Sequence, residues 1–403
     1  MTDATAPARW VATAADFERL CDELSTAPAY ALDTEFHRER TYFPKVALMQ
    51  LAWDGHVALV DTLDIDIAPM RPLLEDGAVA VLHAAEQDLE ILQTCCTVLP
   101  KAMFDTQIAA GFVGYSSTGL SALLARELDV TLPKGDRLTN WTKRPLSEEQ
   151  LTYAAADVDH LLELRELLIA QLERAGRLEW AEAECAELVE RVRLRADLDE
   201  VADTAWWRLK ESRRLKGVSR GIGQALAAWR EREAMRRDVP VRFVLSDMAV
   251  IALAYRPPRK ASELRDVRGL DPRFHRGAPA DELMAVMEAG RELKPPELRL
   301  PSADISDSSQ RATVTLVAAW ISQRARALRL DPQVVASRAD IESLLAGRET
   351  GRLASGWRRE LVGEPVLRLA QGTASVALDQ GALVLEERSY RTITAPDAGT
   401  TPE

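Results

Sequence analysis

The sequence predicts a mixed α/β domain at its N-terminal end, followed by two blocks that are almost wholly helical. Three observations carry that expectation. Short apolar runs bounded by turn residues crowd the first third of the chain; strand signals vanish after about Leu178; and a polar, Pro/Ser-rich segment from Lys294 to Gln310 separates two stretches of helical periodicity. The division is then an α/β domain over 1–177, a connecting helix over 178–200, a helical domain over 201–290, a linker over 291–310, a second helical domain over 311–370, and a small hairpin with a disordered tail over 371–403.

Each element follows from a local signal. YALDTEF (Tyr30 to Phe36) is a strand candidate. VALMQLAW and HVALVDTL flank Asp54-Gly55, and Asp-Gly between apolar runs marks a hairpin. AVAVLHA (Ala78 to Ala84) reads as a strand leading into EQDLEILQTC, where Leu89, Ile91 and Leu92 have helical spacing. FDTQIAAGF is a strand passing into a helix. A loop from Leu132 to Pro145 precedes a long helix, opened by Ser147 and Gln150 in the form of a capping box. Helical patterns run from Trp180 to Gly290 and again from Ala312 to about Gly363. Alternation around Asp379-Gln380-Gly381 predicts the terminal hairpin.

Composition narrows the function classes. A chain of 403 residues exceeds one typical core. No apolar run approaches a membrane span, and the first residues, MTDATAPARW, show no basic-then-apolar leader. The four cysteines lack metal-ligand spacing with histidine, and Cys95 and Cys96 are adjacent, so a reducing, cytoplasmic setting is expected. The net charge of −12 argues against binding nucleic acid through bulk charge, which makes local patches the place to look.

The chemistry concentrates in acids. Strand side chains alternate, so Asp33 and Glu35 project to one face. Two like charges side by side are costly to bury unless a cation neutralises them, and hard oxygen ligands suit Mg²⁺ or Mn²⁺. The bland alternative is an edge strand with one acid in solvent. Tyr153 and Asp157 lie four apart and share a helix face, which alone is commonly a surface pair. Asp88 near a helix start is explicable as a dipole-favoured acid.

Order and spacing together are more specific. DTEF, then HAAEQDLEIL, then WTKRPLSEEQLTYAAADV closely resemble the motifs of the ribonuclease D family, in the DEDD superfamily of 3′→5′ exonucleases. The resemblance covers roughly Trp10 to Arg174 and implies an RNase H-like fold. The family's Asp-x-Glu falls on Asp33 and Glu35, its second acid on Asp88, and its Tyr-x-x-x-Asp, which defines the DEDDy branch, on Tyr153 and Asp157. By that resemblance two divalent cations, Mg²⁺ or Mn²⁺, are implied. Asp33 would bridge them, Glu35 and Asp157 would hold the nucleophile-side ion, and Asp88 would support the other. Tyr153 would orient the attacking water. The helical blocks resemble HRDC domains, the first over DTAWWRLKESRRLKG through PRKASELRDVRGLDP, the second more weakly around ADIESLLAG and GWRRELVGEP. The implied activity is exoribonucleolytic trimming of RNAs with single-stranded 3′ ends, tRNA precursors among them, releasing nucleoside 5′-monophosphates. Its rivals are a DNA exonuclease and a non-catalytic RNA-binding module. A monomer is expected.

Other features receive plainer readings. Gly217, Gly221 and Gly223 have a dinucleotide-motif spacing, but no strand precedes them, so nucleotide binding is set aside. GYSSTG (Gly114 to Gly119) reads as a helix-entry loop, and Asp105 as structural. His83 is taken first as a satisfied buried histidine and second as a substrate contact. Lys134, Arg137 and Arg144, in the loop before the third motif, are placed to meet phosphate, while Trp141 is a core candidate. Between Ala205 and Arg242 basic residues outnumber acids, and Arg213, Arg214 and Lys216 are the chosen RNA-backbone contacts. Of Trp206, Trp207 and Trp229 in that stretch, at least two are expected in a core.

Overall fold

The structure, a computed structural model, describes residues 8–116, 118–133, 139–294, 297–299 and 311–388. They pack as two compact units, Met1–Ala109 with Thr118–Ala303, and Ala110–Ser117 with Asp304–Glu403. The α/β domain and the first helical domain, separate in the sequence-based division, thus form one unit.

In the larger unit, a six-stranded sheet comprises β1 (Arg9–Val11), β2 (Ala29–His37), β3 (Lys45–Trp53), β4 (His56–Val60), β5 (Val79–Leu82) and β6 (Met103–Asp105), in the order β1-β4-β3-β2-β5-β6. The pairs β2/β3 and β3/β4 are antiparallel and the others parallel, so the sheet is mixed. Asp54 and Gly55 join β3 to β4 with φ of 44° and 79°, the left-handed pair that a two-residue hairpin requires. Helices α1 (Ala14–Ser25), α2 (Arg71–Asp76), α3 (Glu86–Cys96), α4 (Thr106–Phe112) and α5 (Leu120–Glu127) interleave with the strands or follow them. One sheet face packs Met49 and Leu51 against Phe17 and Leu20 of α1 and Leu89 and Leu92 of α3. The other packs Leu48 and Leu59 beneath Trp141 and Ala154. Burial on both faces explains why β3 reads as a nearly unbroken apolar run.

Ser147 opens α6 (Glu148–Asp159) with the capping box expected of it. The predicted long helix is two: His160 leaves helical geometry at φ −107° and ψ 4°, and α7 (Leu161–Ala175) follows. The break falls where the chain passes from packing on β3 and β4 to packing on β5. The next helix, α8 (Leu178–Leu194), packs against α3 and β6.

The first helical domain holds α9 (Leu198–Thr204), α10 (Val218–Arg237), α11 (Val241–Val244), α12 (Asp247–Tyr255) and α13 (Ala278–Glu292). Trp206, Leu226, Leu253 and Leu283 lie in its core with Trp229 packed against it, while Trp207 is 40% exposed. Within the glycine cluster, Gly221 serves a helix crossing. A Cβ on Gly221 would sit 2.2 Å from the carbonyl oxygen of Gly290 on α13, which no side chain tolerates. This domain grips the loop that follows β2. Asp238 Oδ1 accepts from the backbone N–H groups of Tyr42 and Phe43 at 3.0 and 3.1 Å, and the Tyr42 hydroxyl donates to buried Glu231 at 2.8 Å.

The smaller unit contains helices Arg311–Ala327, Pro332–Val335, Arg338–Leu345 and Glu364–Ala370 and the predicted hairpin, Ala374–Asp379 with Ala382–Glu387. The Nε and Nη2 groups of buried Arg358 donate to the Val334 carbonyl at 3.0 Å. Most of the expected linker and the tail after Arg388 lie outside the described residues. Among the described residues no helix is long and apolar enough to cross a membrane. All four cysteines are free.

Candidate active site

Three elements bring the predicted acids together. Alternation along β2 aims Asp33 and Glu35 at the face that α6 covers. One helical turn on α6 aligns Tyr153 with Asp157, and the phenol lies near enough to oppose the rise that burial gives that carboxyl. The start of α3 contributes Asp88, which is 6% exposed and accepts from the Thr34 hydroxyl at 2.5 Å. Carboxylate oxygens of Asp33, Glu35 and Asp157 lie within 4.8 Å of one another. All five predicted residues line one cavity of about 570 Å³, with Phe36, His83, Leu120 and Leu161 among its other walls. Larger clefts exist. One of about 840 Å³ beside β6 mixes Glu75, Glu182 and Glu190 with Lys101, Arg165 and Arg193, so its charges balance locally.

In the acidic cavity they do not balance, because among the described residues no lysine or arginine lines it. Burial, then the neighbouring charges, hold Asp33 well above the usual carboxylate range. Burial, with Asp157 and Asp88 nearby, pushes Glu35 up to about 8. Burial pushes Asp88 and Asp157 up to about 7, against the opposing hydrogen bonds from Thr34 and Tyr153. The Tyr153 phenol is raised by burial and by the adjacent acids, so it is neutral near pH 7. A partly buried set of hard oxygen donors with no internal counter-charge fits divalent cations of the Mg²⁺ or Mn²⁺ kind.

The other predicted residues separate. His83 borders the cavity with Nδ1 2.9 Å from the Thr106 hydroxyl, and burial lowers its pKa. Asp105 is structural, as expected. Its oxygens accept from the backbone N–H groups of Ala84, Ala85, Gln107 and Ile108, fixing the approach to α3 and the start of α4. Arg144 departs from expectation. Its Nε and Nη2 donate to Asp61 at 2.7 and 2.6 Å, Nη2 also to the Ala47 carbonyl, and Nη1 to the Trp141 and Lys143 carbonyls. All five guanidinium donors are thereby taken up, so Arg144 ties the pre-α6 loop to the sheet and has none left for phosphate. Lys134 and Arg137 lie outside the described residues. Arg213, Arg214 and Lys216 are exposed, with Arg214 2.9 Å from Glu211. Sequence reasoning missed Thr34, which alternation turns away from Asp33 yet which reaches Asp88. It also missed the Tyr42–Glu231 tie, whose partners are far apart in the chain.

Known proteins are informative at this point. The 3′-5′ exonuclease family model matches residues 8–173 and the HRDC domain model residues 219–286. Ribonuclease D of Gluconacetobacter diazotrophicus is 36% identical over 380 residues, covering 92% of this chain and 94% of that one. The chain belongs to the ribonuclease D family. Ribonuclease D of Acidiphilium cryptum is also 36% identical, over 89% of this chain and 92% of its own. The crystal structure of Escherichia coli RNase D, described as an exoribonuclease involved in structured RNA processing, matches with a TM-score of 0.81 at 31% identity. The match covers 91% of this chain and 99% of that one. As a ribonuclease D, this protein is a 3′→5′ exoribonuclease with a nuclease domain and an HRDC domain.

Proposed function

We propose that this ribonuclease D hydrolyses RNA from single-stranded 3′ ends with two divalent cations, Mg²⁺ or Mn²⁺, held by Asp33, Glu35, Asp88 and Asp157. The observation that carries this reading is the cluster of three carboxylates within 4.8 Å, in a cavity that no lysine or arginine lines among the described residues. When bound, the ions supply charge neutralisation at the scissile phosphate and a more acidic attacking water. Asp33 would be a ligand shared by both ions, Glu35 and Asp157 would hold the ion that activates the water, and Asp88, braced by Thr34, would support the other. Tyr153 would turn its hydroxyl hydrogen toward Asp157, leaving its oxygen lone pairs to accept from and orient the attacking water. Its raised pKa makes it a positioner and a poor base. The water oxygen bonds to phosphorus and gives up a proton to solvent, the bond to the 3′ oxygen breaks and that oxygen takes up a proton, and a nucleoside 5′-monophosphate leaves. Neutral His83 borders the cavity as a contact for the terminal nucleotide.

The substrates are tRNA precursors and other small structured RNAs, in line with the structured-RNA role stated for the Escherichia coli enzyme. Arg213, Arg214 and Lys216 carry phosphate contacts on the HRDC domain. Residues 311–370 form a second HRDC-like domain, supported by their helical packing and by the extent of the Escherichia coli match. The enzyme acts in the cytoplasm as a monomer. The test uses matched RNA and DNA oligonucleotides with single-stranded 3′ ends, in chelator and in Mn²⁺. Release of 5′-monophosphates from RNA, dependent on metal and lost by at least about 10³-fold in Asp157→Asn with RNA binding retained, is expected. Chelator-insensitive hydrolysis, or an active Asp157→Asn protein, overturns the metal assignment.

A further inference from the structure

Gln50 is fully buried, and neither its Nε2 nor its Oε1 has a hydrogen-bond partner. An amide stripped of water and left unpaired burdens the fold. An apolar residue of similar length would remove that burden, and β3 is otherwise apolar along its length from Val46 to Trp53. The position is specific. Gln50 stands directly opposite Asp33 in the β2/β3 register and opposite Leu59 in the β3/β4 register. Directly paired residues project to the same face, with Cβ atoms about 4.5–5.5 Å apart. That face carries Leu48 and Leu59 and is covered by Tyr153 and Ala154 of α6. Of the two cross-strand neighbours, Leu59 offers the amide nothing polar and Asp33 offers a carboxylate.

We infer that Gln50 is a positioning residue for Asp33: its side-chain N–H group orients the Asp33 carboxylate from below when the acidic cluster holds its cations. A carboxylate shared between two ions needs a fixed plane, and a donor on its far side supplies one. Groups that orient metal ligands in this way commonly change metal affinity about 10–100-fold when removed. An unpaired amide is thus retained at a cost to the fold, because its partner is the ligand in its working orientation. The inference rests on Asp33 being a metal ligand.

The test is a thermal melt in chelator and across a Mn²⁺ titration, run on wild type, Gln50→Met, Gln50→Asn and Asp33→Asn. Gln50→Met keeps length and loses both polar groups. It is expected to melt no lower than wild type in chelator, while the Mn²⁺ concentration giving half of the thermal shift rises about 10-fold. The Mn²⁺ dependence of hydrolysis should move in parallel, with KM for RNA unchanged. Gln50→Asn draws the amide back by one methylene and should also raise the Mn²⁺ requirement, which decides the matter if Gln50→Met does not fold. If Asp33→Asn shifts the Mn²⁺ midpoint and the folded Gln50 variants do not, Gln50 is structural and the inference fails while the metal reading stands. If wild type shows no Mn²⁺-dependent shift, the metal reading itself fails.

Discussion

Replacing Asp33 by Asn should stabilise the metal-free protein at alkaline pH and weaken its response to metal. Two carboxylates within 4.8 Å of each other repel by roughly 3 kcal/mol or more at an effective dielectric of about 20. Protons relieve that repulsion and the cost of burying charge, and burial is the larger cause of the raised values of about 8 for Glu35 and about 7 for Asp88 and Asp157. The ordinary values are 4.5 for the glutamate and 3.8 for the aspartates, so between these and the raised values the folded state binds more protons than the unfolded chain. The stability from these groups is therefore fully present below about pH 4 and is lost as pH rises through about 7 to 8. A shift of about three units in one group is worth about 4 kcal/mol. Because the protons are shared among coupled sites, the whole cluster is worth on the order of 5 kcal/mol, not three times the single value. Asp33 feels the charges of Asp88, Asp157 and Glu35, so Asp33→Asn should recover about 1–3 kcal/mol at about pH 9, a rise of roughly 2–8 °C in melting temperature. Melts in chelator at about pH 5 and about pH 9 and a Mn²⁺ titration measure both effects. Wild type should fall more than the mutant between the two pH values, and should gain more from Mn²⁺. A mutant that is less stable than wild type at high pH, and gains as much from metal, would refute the reasoning and make Asp33 and Glu35 a structural pair.

Tyr153→Phe loses only the hydroxyl that holds Asp157 and orients water, so single-turnover hydrolysis should slow about 10²-fold with RNA affinity within about two-fold; an unchanged rate removes its role. Reversing Arg213, Arg214 and Lys216 to Glu should weaken binding to many RNAs alike and reduce the salt slope by up to about 2, leaving the rate on a saturating short substrate intact. An unchanged slope would leave the three as a solvated face. Tyr42→Phe withdraws a donor from buried Glu231 and should cost about 1–2 kcal/mol in thermal melts, with a lower rate on short RNA, because the HRDC domain holds the loop that follows the catalytic strand. Unaltered melts would show that the contact is incidental.

The elements legible in the sequence were those with strong local causes. Asp54-Gly55 allowed only a tight hairpin, Ser147 with Gln150 announced its helix, and alternation placed Asp33 beside Glu35 without knowledge of the sheet. The acidic cavity was legible only as a set of motifs, since nothing local to DTEF says that α6 returns above it. What escaped depends on distant partners. Arg144 looked like a phosphate ligand because Asp61, 83 residues earlier, is invisible from its own neighbourhood. The dinucleotide-like spacing of the glycines was set aside for want of a preceding strand, but what Gly221 does was invisible until Gly290 came to lie against it. Gln50 lies in an apolar run, and only the register against β2 gives its polarity a meaning.

The same dependence on distance bears on how an acidic protein meets a polyanion. Counting charges between Ala205 and Arg242 suggested a broad positive surface, but the count stopped short of acids that fold beside it. Arg232 reaches Asp199 and Asp203, upstream of the window, and buried Arg230 reaches Asp247, downstream. Within the window Arg208 pairs with Glu231, and both Arg236 and Arg237 pair with Glu233. Much of the apparent excess therefore holds the HRDC domain together and ties Glu231 to the nuclease loop through Tyr42. An exposed arginine already paired with a carboxylate can still turn toward a phosphate, but it then leaves that carboxylate in the same field, and the net gain shrinks. Binding built this way has a shallow salt dependence and modest affinity along the strand. With divalent cations in the acidic cavity as proposed, the strongest attraction for the RNA backbone would lie there, so the 3′ end, and not the body of the RNA, is what the enzyme would hold most firmly.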